Sequence, residues 1–166
     1  MRITSIGTWV GYMRFPIRLL AAMLLLAGAG ASHAKVRIAN DRGGLIERYV
    51  DRYEHLRASR QSVIIDGLCA SACTIVLSAI PRNKICVTSK ARLAFHAAWD
   101  FGVRGRVVTN PEATRWLYSV YPPPVRQWIA GRGGLKPRAI FLQGKQLEAM
   151  YRPCYLAAHA SLGTHR

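Results

Sequence analysis

Two residues carry chemistry by type and placement, Ser71 and His96. Ser71 stands between Ala70 and Ala72, at the end of a short turn segment, 67–71, that follows an apolar run at 62–66 and precedes a second apolar run at 72–80. A serine on a sharp strand-to-helix turn exposes its hydroxyl as a nucleophile, and the unpaired N–H groups of the helix start stand ready for an oxyanion. A hydroxyl also needs a neighbouring base. His96 supplies one 25 residues later, at the exit of the strand pattern Arg92–Phe95. Taken singly, Ser71 reads equally well as a helix cap, and His96 as a strand-end residue with a structural hydrogen bond. Taken with Gly43 and Gly44, they form an ordered set of backbone donors, nucleophile and base.

The elements that must position this set follow in chain order. Residues 35–39 form a short strand, and 40–44, Asn-Asp-Arg-Gly-Gly, a loop. Leu45, Ile46, Tyr49, Val50, Tyr53 and Leu56 then recur at helical spacing with charged residues between them, the pattern of an amphipathic helix. A glycine pair between strand and helix lets backbone N–H groups approach a ligand, or is simply a turn. The run at 62–66 lacks alternation and predicts a strand buried on both faces of a parallel sheet. Strand, helix and strand in this order imply a right-handed crossover. Residues 72–80 predict a core helix, 84–88 a third strand and 92–95 a fourth. Residues 99–108 read as irregular. Asn110 as cap with Pro111 in the first turn predicts a helix to residue 118, and 125–130 a shorter one. The segments 137–142 and 145–151 predict a helical C-terminal part, with Cys154 stapling the tail.

Residues 1–34 are read as an export signal and not as part of the fold: Arg2, Arg14 and Arg18 precede an apolar run of a dozen residues, and Ser32-His33-Ala34 offers small residues for cleavage. Met13 is an alternative start, and an uncleaved N-terminal anchor the competing reading. Residues 35–166 suffice for one domain with one core. Removing the three leader arginines leaves 21 basic against 8 acidic residues, a net +13. The arginines are scattered without interleaved aromatics, which argues against nucleic acid as a partner. A solvated basic surface, or attraction to an anionic membrane or envelope polymer, remains. Cys69, Cys73, Cys86 and Cys154 make an even set of disulfide candidates in an exported chain, with three connectivities open. Free buried thiols are one alternative, and zinc held by Cys69, Cys73, Cys86 and His96 is another, although the paired CxxC spacing of zinc sites is absent. Trp99, Trp116, Tyr118, Tyr121 and Trp128 line a groove or, on the plainer reading, fill a helical core.

The stretches NDRGGLIERYV, IDGLCASACTIVL and ARLAFH together resemble the proteolytic subunit of the Clp protease and its exported relatives in the wider Clp/crotonase fold. The resemblance covers about residues 36–97. It implies an α/β domain with a small, mostly parallel sheet of about four strands, crossover helices and a helical C-terminal segment. It also implies a serine hydrolase of the peptidase kind that needs no cofactor and no metal. Ser71 is then the nucleophile and His96 the base, with Gly43, Gly44 and Ala72 around the oxyanion. The family's third member, an aspartate well after the histidine, has no counterpart, because no Asp follows Asp100. Asp100 and Glu148 are the available substitutes. The alternative expectation is an inactive Clp-like scaffold that binds within the cell envelope.

Overall fold

The structure is a computed structural model, and it describes residues 35–154. The export signal expected at 1–34 lies outside the described residues. Those residues form a mixed α/β domain around a five-stranded sheet. Strand β1 (Lys35–Asp41) leads through Arg42–Leu45 into helix α1 (Ile46–Ala58), which returns the chain to β2 (Ser62–Ala70), parallel to β1. Tyr49 and Tyr53 form the buried stripe of α1, while Leu45, just ahead of the helix, is left exposed.

The central strand β2 is four residues longer than its apolar run suggests, and it changes partner along its length. Val63–Ile65 pair with β3 (Ile85–Val87), whereas Leu68–Ala70 pair with β4 (Arg92–Phe95), both parallel. The change coincides with a register shift against β1 between Ile38 and Asn40. Gly67 sits at that irregularity, and a Cβ there would lie 1.9 Å from the Ala39 carbonyl oxygen, so a side chain cannot be accommodated. Asp66, next to it, is buried and closes the β3–β4 turn. Its Oδ1 accepts from Thr88 Oγ1 at 2.7 Å, and its Oδ2 accepts from the Arg37 guanidinium, with Nε at 2.7 Å.

Three segments depart from the sequence expectation. Residues 99–108 are not irregular: Trp99–Phe101 (β5) and Val107–Thr109 (β6) form an antiparallel hairpin, since Trp, Phe and Val are strand formers and Gly102 and Gly105 allow the turn. Residues 137–142 are not helical either. Ile140–Gln143 (β7) adds antiparallel to β4, satisfying an edge that would otherwise be open. The 72–80 helix is split into a 3₁₀ turn at Ser71–Ile75 and a four-residue helix α2 (Val76–Ala79).

The remaining helices follow the expected order. In α3 (Pro111–Val120), Asn110 Oδ1 accepts the Ala113 N–H at 2.9 Å, the cap that its sequence announces. After it come α4 (Pro123–Ala130) and α5 (Gly144–Met150). Of the five aromatics, Tyr121 and Trp128 pack on Phe95 in the core, whereas Trp99 and Trp116 are exposed. The cysteines pair as Cys69–Cys73 and Cys86–Cys154. The second bridge ties the tail to β3, where Cys154 N–H donates to the Val87 carbonyl. Two disulfides fit an oxidising compartment. Among the described residues, no helix is long and apolar enough to cross a membrane.

Asp66 makes stability depend on pH. Hydrogen bonds from Thr88 and then Arg37 hold its carboxyl below the usual carboxylate range. Its contribution is complete above the unfolded value of about 3.9 and is lost as pH falls through the lower folded value. Urea unfolding is expected to show Asp66→Asn costing about 1–3 kcal/mol at about pH 6, with the gap to wild type shrinking by about pH 2. A gap independent of pH would contradict this role.

Candidate active site

Ser71 adopts φ +56, in the left-handed region that residues with a Cβ avoid. Ala70 before it is extended, and the chain winds into the 3₁₀ turn directly after it. The hydroxyl is therefore carried on a sharp reversal at the end of a central strand. The backbone at such a position persists only if its surroundings hold it.

Four contacts do so. The Cys69–Cys73 disulfide spans the turn with its Cα atoms 5.3 Å apart; it joins these two cysteines to each other, not to distant partners. Tyr53, fully buried, donates its hydroxyl to the Cys73 carbonyl at 3.0 Å. Thr74 Oγ1 donates to the Ser71 carbonyl at 2.6 Å and pairs with the Tyr121 hydroxyl at 2.6 Å. Burial pushes the Tyr121 phenol up to about 12, so it stays protonated as a donor. The fourth contact is Gly43, at φ +83. A Cβ on it would lie 2.5 Å from the Ala70 carbonyl oxygen and 2.6 Å from Ser71 Cβ. Glycine is required here because the loop lies directly against the serine turn.

Asp41 shapes that loop. Its Oδ1 accepts the Gly43 N–H at 2.9 Å and the Tyr49 hydroxyl, and its Oδ2 accepts from Arg52 Nη1 at 3.2 Å. Burial and the Asp41 carboxylate push the Tyr49 phenol up to about 12. The consequence separates the two glycines: Gly43 has its N–H committed to Asp41, while Gly44 N–H makes no hydrogen bond among the described residues. Gly43, expected as an oxyanion donor, is a packing residue. Gly44 and Ala72 are the N–H groups left.

Gly43, Gly44, Ser71, His96 and Asp100 all line one cleft of about 470 Å³. Trp99 and Phe101 of the hairpin and Leu117 of α3 complete its apolar side. His96 follows β4 directly, and its Nδ1–H donates to the Ala97 carbonyl at 2.7 Å. A carbonyl only accepts, so Nδ1 carries a proton, and in the neutral imidazole the Nε2 lone pair is left for a substrate or a hydroxyl. No hydrogen bond joins Ser71 Oγ to His96 among the described residues.

Asp100 does not orient His96. Its Oδ2 accepts from Asn110 Nδ2 at 2.7 Å, which ties the hairpin to the start of α3. The backbone carbonyl of Ala97 occupies the position where an orienting carboxylate would act. Glu148, the other substitute, is exposed on α5 and does not line the cleft. The zinc alternative also fails, because the sulfurs of Cys69, Cys73 and Cys86 are bonded in disulfides and present no thiolate. Sequence reasoning missed the supports of the turn. Asp41 carries a local signal, an Asx residue two before a glycine N–H. Tyr53, Thr74 and Tyr121 meet only through the fold, and the Ala97 carbonyl has no side-chain signature. No protein-family model matches the chain, and no curated protein matches it.

The two glycines predict contrasting substitutions. Gly43→Ala forces a left-handed alanine against the Ala70 carbonyl oxygen, Ser71 Cβ and Ala72 N of the serine turn and is expected to cost about 2–4 kcal/mol in urea unfolding. At Gly44 an added Cβ meets only Tyr49 Cε2, at 3.6 Å, and Gly44→Ala is expected to cost less than about 1 kcal/mol. Equal costs would contradict the packing of the loop on the serine turn.

Proposed function

We propose that the protein is an exported serine hydrolase, working in the periplasm on peptide or protein substrates, with Ser71 as nucleophile and His96 as base. The observation that carries this reading is the left-handed conformation of Ser71 at the end of a central strand, facing a cleft that also holds His96. Strain of this kind collects where a hydroxyl must be presented and not merely used as a cap. The resemblance to the Clp/crotonase fold supports the peptidase class. The parallel β1–β2–β4 core and the order of glycine loop, serine turn and histidine agree with it.

The steps follow from the groups present. Ser71 Oγ attacks the substrate carbonyl carbon while its proton passes to His96 Nε2, and the carbonyl π electrons move onto oxygen. Gly44 and Ala72 N–H groups receive that oxyanion. His96 then gives the proton to the leaving amine as the C–N bond breaks, and water repeats the sequence to release the acid. The Ala97 carbonyl fixes the histidine tautomer as a carboxylate would, but it adds no full negative charge beside the imidazolium. A triad that loses its acid and its tautomer falls by about 10⁴ in rate. Here the tautomer is kept, so the penalty is confined to the missing charge.

A second reading, an inactive scaffold that binds within the envelope, is favoured by two features among the described residues: Ser71 and His96 share no hydrogen bond, and no carboxylate is hydrogen-bonded to the histidine. Labelling of the oxidised protein with a fluorophosphonate separates the two. The hydrolase reading predicts labelling that Ser71→Ala abolishes and His96→Ala slows by at least about 100-fold. Asp100→Asn is expected to slow it less than about tenfold, since it breaks no bond to His96. A folded wild-type protein that takes no label would support the scaffold.

A further inference from the structure

The β5–β6 hairpin is built unlike the rest of the domain. Among the described residues, eight large hydrophobic side chains are exposed, and five of them are on this hairpin: Trp99, Phe101, Val103, Val107 and Val108. Trp99 and Phe101 are two apart on β5 and stack edge to face, and Val107 lies opposite Phe101, so all three share one face. A two-stranded hairpin is marginal in water by itself, and this one presents apolar surface instead of hiding it. At the tip, Gly102 and Gly105 close a tight turn that leaves Val103 78% exposed between strands, with Arg104 and Arg106 beside it. The only two ion pairs among the described residues are Arg37–Asp66 and Arg52–Asp41, so neither tip arginine is neutralised by one. The hairpin's one acid, Asp100, is bonded to Asn110.

We propose that this hairpin is a membrane wedge that seats the domain on an anionic lipid bilayer. Val103 and Phe101 enter the headgroup region, Trp99 stays at its boundary, and Arg104 and Arg106 pair with lipid phosphates. Charge complementarity selects the occupant. The apolar tip is flanked by cations outside any ion pair, in a chain of net charge +13 once the three leader arginines are removed, and an anionic surface satisfies both. A second copy docking symmetrically through the tip would set Arg104 and Arg106 against their own equivalents. Because Trp99 and Phe101 also line the Ser71 cleft, seating the hairpin brings the cleft to the bilayer surface. The inference stands independently of Ser71 chemistry.

Among the described residues the core runs from Ile38 to Tyr151, and the protein tested is the chain with its expected leader, residues 1–34, removed. The oxidised protein is sedimented with sucrose-loaded vesicles of phosphatidylglycerol and phosphatidylethanolamine, and separately with phosphatidylcholine vesicles. Binding to the anionic vesicles is expected to be at least about tenfold tighter and to weaken with added salt. Phe101→Ser/Val103→Ser and Arg104→Ser/Arg106→Ser are each expected to lose about tenfold or more. Arg48→Ser/Arg57→Ser, on α1, is expected to lose less than about threefold. All these side chains are exposed, and circular dichroism confirms that each variant folds. Absence of vesicle binding by folded wild type would overturn the proposal, and so would equal losses in both arginine pairs, which assign binding to general basicity. A dimer in sedimentation velocity that Phe101→Ser/Val103→Ser dissociates, without vesicle binding, would also overturn it by assigning the face to a second copy.

Discussion

The structure depends on the contact between Gly43 and the serine turn. The loop after β1 and the turn after β2 press together so closely that a side chain at Gly43 would strike Ala70 and Ser71. This contact holds Ser71 in a backbone conformation it would not adopt alone, and in doing so it sets the hydroxyl at the head of the cleft. It also ties the two halves of the first β–α–β unit at their functional end. Asp41 fixes the loop from one side by taking the Gly43 N–H, and in consequence leaves Gly44 N–H unengaged. One carboxylate thus decides which glycine packs and which can donate.

The supports around the turn are mostly local in effect, and their energetics differ. A bridge across four residues, such as Cys69–Cys73, removes little chain entropy, about 2 kcal/mol, against about 4 kcal/mol for Cys86–Cys154 with its separation of 68. Global stability therefore rests more on the second disulfide. The first one acts on shape, together with the Tyr53 and Thr74–Tyr121 hydrogen bonds. Gly67 and Asp66 serve the same end further back along β2. They let the strand leave β3 and take up β4, which delivers Ser71 and His96 to the same end of the sheet, beyond the C-termini of two neighbouring strands.

Much of this was legible in the residues. The unalternating run at 62–66 announced a buried strand of a parallel sheet, and Asn110-Pro111 announced the start of α3. The glycine pair, Ser71 and His96 were recognisable as a set because each sits where one periodicity ends and another begins. What was not legible depends on partners far away in sequence. Ile140–Gln143 is a strand because β4 offers it an edge, and its own four residues carry too little pattern to say so. The hairpin was missed because its apolar residues face water and break the rule by which strands are found. Asp100 looked like an orienting acid by proximity to His96, yet the strand geometry of β5 turns it toward Asn110. A backbone carbonyl, invisible to any motif, does the orienting.

The most direct test is a crystal structure of the oxidised protein after reaction with a phosphonate ester. Phosphorus is expected on Ser71 Oγ, with Ser71 still at positive φ and the phosphoryl oxygen about 3 Å from both Gly44 and Ala72 N–H groups. His96 Nδ1–H should remain on the Ala97 carbonyl. An unmodified Ser71, or an adduct whose oxygen points to solvent while Gly44 N–H stays empty, would contradict it.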